Sequence, residues 1–306
     1  MTRTPKIAVL MGGRSVEREV SMASGQAVSA CLKSLGYQVV AIDAVDVRAW
    51  MPQLAGVDKV FNALHGRFGE DGCIQGMLEL LAIPYTHSGV LASALAMDKY
   101  AAQQVFEHHG LLCPEMKRIK RCQLGTSKPF DDDAYVVKPV QGGSSVGVYV
   151  IQNDTDVQQA IDDGDDNDVV LVQRCIHGRE LSVAIMGDKA LGIIEIITER
   201  GFYDYQAKYD EGGSRHVIAD IPHAVSEHLL RASLHAHRCL GCRSVSRVDW
   251  RLAEDGLAYL LEVNSQPGMT KVSLLPEIAA HKGIDFTELV SWIVDNACLD
   301  EQDQEV

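Results

Sequence analysis

The sequence predicts a mixed α/β fold that opens with a doubly wound parallel sheet. Three observations predict it. Apolar runs alternate with amphipathic segments through the first third, a pattern that implies parallel pairing. A glycine and serine loop joins two strands in the middle, and a strand pair turns at Asp255-Gly256 near the end. In chain order, Ile7–Met11 reads as a strand and Ser15 to about Leu35 as a helix. Tyr37–Asp43 and Lys59–Asn62 read as strands and Gly72–Leu81 as a helix. From about Met97 come a helix over Lys99–His109 and strands over Tyr135–Lys138, Gly147–Ile151 and Val169–Arg174. Strands at Glu180–Met186 and Ala190–Thr198 lead into a long polar loop, 199–222. A helix over Ser226–Leu240, the hairpin and two terminal helices complete the chain. Unstructured loops of that length are usually functional lids or disordered.

The chain has 306 residues, 46% apolar and 23% charged, enough for two or three domains with real cores. Net charge is −14, with acidic clusters at Asp131-Asp132-Asp133, across 162–168 and in the tail, most simply solvated loops and an acidic tail. That field argues against nucleic acid or an anionic membrane as partner. Apolar runs stay far below the roughly 18 residues of a membrane span, and the N-terminus reads as a strand instead of a signal peptide. The cysteines number eight, and the one close pair is Cys239-Leu-Gly-Cys242, with no second pair to complete a zinc site. Reduced, mostly buried thiols in a cytoplasmic protein are expected.

The hairpin carries the first candidate site. With Asp255-Gly256 as a two-residue turn, Glu254 faces Leu257, Asp249 faces Glu262 and Arg247 faces Asn264. Val248, Trp250, Leu252, Tyr259, Leu261 and Val263 then share a buried face. The other face collects two opposed carboxylates, which repel unless a cation lies between them. An all-oxygen set from Asp249, Glu262 and Asn264 suits Mg²⁺, with Mn²⁺ as an alternate ion. A solvated polar face is the plainer alternative.

The second is Lys138-Pro139-Val140-Gln141-Gly142-Gly143-Ser144-Ser145-Val146-Gly147. Backbone N–H groups and hydroxyls of such a loop can cover phosphates, with Lys138 supplying charge. A generic flexible turn is the alternative. Gly12-Gly13, after the first strand, lacks the third glycine of a dinucleotide fingerprint.

Together with Gly12–Ser21 (GGRSVEREVS), His65–Gly72 (HGRFGEDG) and Glu262–Thr270 (EVNSQPGMT), these segments resemble the ATP-grasp superfamily, and within it the D-alanine–D-alanine ligases. The resemblance spans essentially the whole chain. It implies an N-terminal substrate domain (1–96), a central subdomain (97–178) and a catalytic subdomain (179–306), the latter two clasping ATP. It implies ligation of two D-alanines through a D-alanyl phosphate, for peptidoglycan, by a cytoplasmic homodimer.

By the same resemblance, Asp249, Glu262 and Asn264 hold two Mg²⁺ ions. Lys99, Lys138 and Lys208 meet the ATP phosphates beneath Gly143, Ser144, Ser145 and Val146 and the 199–222 loop. Gln173, Arg174, Cys175 and Ile176 cup the adenine, with Gln173 accepting from its amino group, and Glu180 binds the ribose. Glu17 pairs with the first D-alanine's ammonium, although a carboxylate at a helix start is also an ordinary capping feature. His65 lies nearby, and Ser144 and Tyr209 join Glu17 in a network closing the lid. Arg247 and the Gly268 N–H stabilise the oxyanion, while Ser273 and Leu274 receive the second substrate's carboxylate. Tyr209 goes with D-alanine, and not D-lactate, as second substrate. Gln173 and Cys175 stand where the family usually has an acid and an aromatic. Gln206 and Trp250 are further departures. The rivals are a D-alanine–D-lactate ligase, a silent nucleotide-binding regulator and a dinucleotide oxidoreductase.

Overall fold

The computed structural model describes residues 4–126, 129–130, 134–165, 167–198, 213–270 and 272–300. Strands β1 (Lys6–Met11), β2 (Gln38–Asp43) and β3 (Lys59–Asn62) form a parallel sheet in the order β2-β1-β3. Strand β1 is a near-continuous buried apolar run, as expected of a parallel sheet covered on both faces. Ile7, Val9 and Met11 enter one core with residues of helix α1 (Arg18–Ser34). Ala8 and Leu10 enter another with Trp50 and Leu78, from helices α2 (Val47–Trp50) and α3 (Cys73–Leu80). Single bridges from Val60 to Tyr85 and from Tyr85 to Cys298 bring the chain's far end back to this sheet.

Two antiparallel sheets follow. Helices α4 (Val90–Met97) and α5 (Lys99–His108) lead in, and the Asp98 carboxylate between them accepts from the N–H groups of Tyr100 and Ala101. Strands β4 (Met116–Lys120), β5 (Tyr135–Pro139), β6 (Tyr149–Ile151) and β7 (Val169–Arg174) pair in the order β4-β7-β5-β6, with helix α6 (Asp154–Asp162) packed on β6. Strands β8 (Gly178–Met186), β9 (Lys189–Thr198), β10 (Ser214–Ile218), β11 (Val245–Ala253) and β12 (Ala258–Asn264) pair in the order β10-β9-β8-β11-β12. Helix α7 (His223–Cys239) covers one face of that sheet. Helices α8 (Leu274–His281) and α9 (Phe286–Asp295) cover the other, in the same core as Ile7 and Val9 of β1.

Several expectations need correction. The stretch expected as loop 199–222 contains β10, because Ser214–Ile218 finds an open edge on β9. No element was expected over α4, which reads VLASALAM, a short apolar run whose period cannot distinguish strand from buried helix. The acidic run 162–168 begins inside α6, which Asn153 and Asp156 start with a reciprocal capping box. All eight cysteines are free, but Cys31 and Cys242 alone are buried, and Cys73 and Cys122 are exposed.

The hairpin turn was expected one residue too short. Ala253 accepts from Gly256 N–H, and its own N–H donates to the Leu257 carbonyl, so Glu254-Asp255-Gly256 forms a three-residue loop. Glu254 therefore does not face Leu257, and Trp250 faces Leu260. A bulge between Asp249 and Trp250 then restores the counted register, with Asp249 opposite Glu262 and Arg247 opposite Asn264. The bulge also swaps faces. Leu260 and Ala258 fill the core where Leu261 and Tyr259 were expected, and Leu261 turns into the cleft.

Candidate active site

A cleft is lined by Lys99, Lys138, Gly142 to Val146, Gln173 to Ile176 and Glu180, with Asp249, Leu261 and Glu262 across it. The expected nucleotide residues among those described thus converge. Lys208 and Tyr209 lie outside the described residues. Lys138 is buried, and its Nζ donates to Gln173 Oε1 at 2.8 Å. Gln173 Nε2 donates to Gln103 Oε1 at 3.2 Å, and Gln103 is anchored on the Pro114 carbonyl at 2.9 Å. The amide oxygen expected to accept from adenine therefore already serves Lys138. Burial, then the charge of Lys99, pushes the Lys138 ammonium down to about 8, against the opposing charge of Glu262. Glu180 faces Arg251 in register and pairs with it at 2.9 Å, which orients its carboxylate along the cleft wall.

The hairpin face is a tight electrostatic cluster. Arg247 donates from Nε and Nη2 to Asp249 at 2.9 and 2.8 Å. Asn264 Nδ2 lies 3.0 Å from Asp249 Oδ2 and 3.5 Å from Glu262 Oε1, and Lys99 Nζ lies 3.4 Å from Glu262 Oε2. From the neighbouring strand, Ser182 Oγ donates to Asp249 Oδ1 at 2.7 Å. Two register-opposed carboxylates thus gather donors from Arg247, Asn264, Lys99 and Ser182 onto one polar face. Their oxygens, with the amide oxygen of Asn264 after an amide flip, form an all-oxygen set that fits a hard divalent cation.

Glu17 sits at the N-cap of α1 but makes no side-chain cap bond there, so plain capping does not account for it. It is buried, and Ser144 Oγ donates to its Oε1 across to the glycine loop. A Cβ on Gly66 would stand 2.5 Å from Glu17 Oε2, and one on Gly143 2.8 Å from Oε1. Two glycines from two loops therefore make room for one carboxylate. The loop holds Ser144 and Ser145 at φ of 52° and 58°, a left-handed conformation that costs each side chain energy and marks a constrained segment. Gly142 and Gly143 line the nucleotide cleft, the hollow beside Glu17 and a third hollow bordered by Glu262 and Asn264.

His65 is buried between Glu70 Oε1, 2.8 Å from Nδ1, and Ser24 Oγ, 3.4 Å from Nε2. Burial pulls its pKa down, yet Glu70 and then Glu17 prevail and raise it. Ser24 Oγ also accepts from Met269 N–H at 3.1 Å, which fixes the chain beside Gly268. A Cβ on Gly268 would lie 2.9 Å from Ser273 Oγ, so these two residues are neighbours. Leu274 turns its side chain into the core. Its place at the start of α8 leaves only backbone to meet an anion.

Sequence reasoning missed the supports: Ser182 on Asp249, Gln103 behind Gln173, Glu70 on His65, and the Asn62–Gln266 bond at 2.8 Å. Apart from Glu70 on His65, each joins segments whose pairing no turn length specifies. Glu70 alone had a signal, its place in HGRFGEDG.

A family model described as D-ala D-ala ligase C-terminus matches residues 134–295, and one described as D-ala D-ala ligase N-terminus matches residues 49–88. A D-alanine–D-alanine ligase of Cereibacter sphaeroides is 50% identical over 300 residues, covering 96% of both chains. The chain belongs to the D-alanine–D-alanine ligase family. Another ligase of this name, from Rhodospirillum rubrum, is 49% identical, covering 96% of this chain and 99% of its own. The solved D-alanine–D-alanine ligase from Bacillus anthracis superposes with a TM-score of 0.84 at 33% identity, covering 99% of this chain and 100% of that one. A structure of it complexed with ATP gives 0.83 at 29% identity, with the same coverage. The ligase fold here is ATP-grasp, with the parallel sheet as its N-terminal part.

Proposed function

We propose that the protein joins two D-alanines into D-alanyl-D-alanine, using ATP and passing through D-alanyl phosphate, for peptidoglycan synthesis in the cytoplasm. One observation carries the reading. The Gly142–Gly143 turn borders the nucleotide cleft, the Glu17 hollow and the carboxylate face at once, so a phosphoryl donor and an amino-acid carboxylate can meet beneath it.

Lys99 and Lys138 hold the ATP phosphates, Gln173 to Ile176 border the base, and Glu180 takes the ribose hydroxyls. Glu17, kept in place by Ser144, binds the ammonium of the first D-alanine and aims its carboxylate at the γ-phosphate. In-line transfer needs positioned charge more than covalent help from the protein. Asp249, Glu262 and Asn264 would hold Mg²⁺ or Mn²⁺, which supplies charge neutralisation for the transferring phosphoryl oxygens. The second amine then attacks the acyl phosphate, the oxyanion forms against Arg247 and the Gly268 N–H, and phosphate leaves. Backbone N–H groups near Ser273 and Leu274 receive the second carboxylate, as helix N-termini do. Residues 1–96, 97–178 and 179–306 act as substrate, central and catalytic parts, and two copies assemble as a homodimer.

The deciding measurement is phosphate release from ATP and Mg²⁺ with and without D-alanine, including a D-lactate competition arm. D-Alanine-dependent release with a dipeptide product is expected. Release indifferent to D-alanine would overturn the reading, and a depsipeptide product would redirect it.

A further inference from the structure

The Cys239-Leu-Gly-Cys242 pair splits in the fold. Cys242 is buried in the core under α7, and burial pushes its thiol up to about 12. Cys239 instead ends α7 only half-buried, four residues after His235, so both side chains share one face of the helix. A third group arrives from elsewhere in the chain, because His109 caps the C-terminus of α5.

The geometry is that of a ligand set. Cys239 Sγ lies 3.6 Å from His235 Nε2 and 3.7 Å from Nδ1. Around a tetrahedral Zn²⁺ with ordinary bond lengths, sulfur and nitrogen stand about 3.6 Å apart. The His109 and His235 rings meet edge to face with centroids 5.7 Å apart. One ligand atom from each of the three residues lies within 4.8 Å of the others, so small side-chain rotations bring His109 in. Both histidines are exposed, which gives a hydrated ion access. The neighbouring cation, Arg238, is paired with Asp188 at 2.7 Å, which offsets its repulsion. The donor set is imidazole and thiolate, unlike the oxygen set of the hairpin face, and it selects a softer ion.

We propose that His109, His235 and Cys239 bind a borderline-soft divalent cation of the Zn²⁺ class, with water at the fourth position. The ion ties the end of α5 to α7. It stands at the opposite end of α5 from Lys99, outside the nucleotide cleft.

The test uses the full chain, stripped with chelator and titrated with Co²⁺ as a spectroscopic probe. A thiolate-to-cobalt charge-transfer band is expected, displaced by equimolar Zn²⁺ and unmoved by excess Mg²⁺. Co²⁺ on Asp249 and Glu262 gives no such band, which separates the two sites. Cys239→Ser should abolish the band, and His235→Ala or His109→Ala should weaken Co²⁺ affinity at least about tenfold. Zn²⁺ should raise the melting temperature of the parent chain but not of the variants. Should Cys239→Ser fold poorly, the histidine variants carry the decision. Absence of the band, or its survival in all three variants, overturns the proposal. So does its loss when the exposed Cys73 and Cys122 alone are replaced by serine.

Discussion

Lys138 shows how one residue couples burial to chemistry. Its ammonium is held by a neutral amide where a carboxylate would have offset the charge, and its pKa is down to about 8. It is charged below that pH and neutral above it, so kcat/KM for ATP is expected to decline as pH rises through about 8. Lys138→Arg, charged throughout, should flatten that limb while lowering the plateau. A parent profile that stays level well into the alkaline range would count against the role. Stability moves the other way. The folded lysine gives up its proton before the unfolded one, whose value is 10.5, so the penalty for burying the charge fades between about 8 and 10.5 and stability rises there.

Glu17 and Asp249 make the matching case for carboxylates. Glu17→Gln keeps the shape but removes a charge-assisted bond worth about 1.5–3 kcal/mol, so kcat/KM for D-alanine should drop roughly tenfold to a hundredfold. Gly143→Ala should mimic it, because the added methyl lands 2.8 Å from Glu17 Oε1. Equal KM values for D-alanine in parent and variants would remove Glu17 from the substrate site. Asp249→Asn or Glu262→Gln should abolish metal-dependent turnover, while near-normal rates in both would sink the metal site. Ser182→Ala, which takes only the 2.7 Å bond from Asp249, should weaken Mg²⁺ activation about 10–100-fold and leave the fold intact. Titration of activity with Mg²⁺ distinguishes the two classes.

Among the elements, the β11–β12 hairpin shows how far a sequence can be read. Alternation and an Asp-Gly pair were enough to set Asp249 against Glu262, yet the loop is one residue longer and the bulge compensates by one. Turn length and bulge are both one-residue features, and apolar alternation cannot separate two that cancel. What betrayed them was the wrong face for Leu261, visible only once the core was assembled. Gly256, at φ 85° with open space around its Cβ position, isolates the backbone contribution of this loop. Gly256→Val is expected to cost about 1–2 kcal/mol and lower the denaturation midpoint, whereas Gly256→Asn should be nearly neutral. Turnover at 25 °C should persist in both, since the bulge, and not the loop, positions Glu262. Equal destabilisation by Val and Asn would mean that φ is not the controlling feature.

At the scale of the molecule, the parallel sheet and the five-stranded sheet share one core, with Ile7, Val9 and Phe61 packed alongside Ile194, Leu275 and Ile278. Most elements were legible because their periods are local, but α4 and β10 were not, and neither was this merger, because it depends on which faces meet. A polar lock crosses the same junction. Asn62 Nδ2 donates to Gln266 Oε1 at 2.8 Å, Gln266 Nε2 donates to the Leu64 carbonyl, and both side chains are buried. Gln266 follows Asn264 and precedes Gly268, so this lock sets where Gly268 stands relative to His65 and Glu17. Gln266→Ala leaves the buried Asn62 amide with one partner fewer, a loss of about 1–3 kcal/mol. The nucleotide cleft, which neither residue lines, is untouched. KM for D-alanine should therefore rise severalfold while KM for ATP holds. The double variant Asn62→Ala/Gln266→Ala should cost less than the sum of its parts, as residues sharing a bond do. Parallel increases in both KM values would instead indicate general loosening of the fold, and strict additivity would deny that the pair acts as a unit.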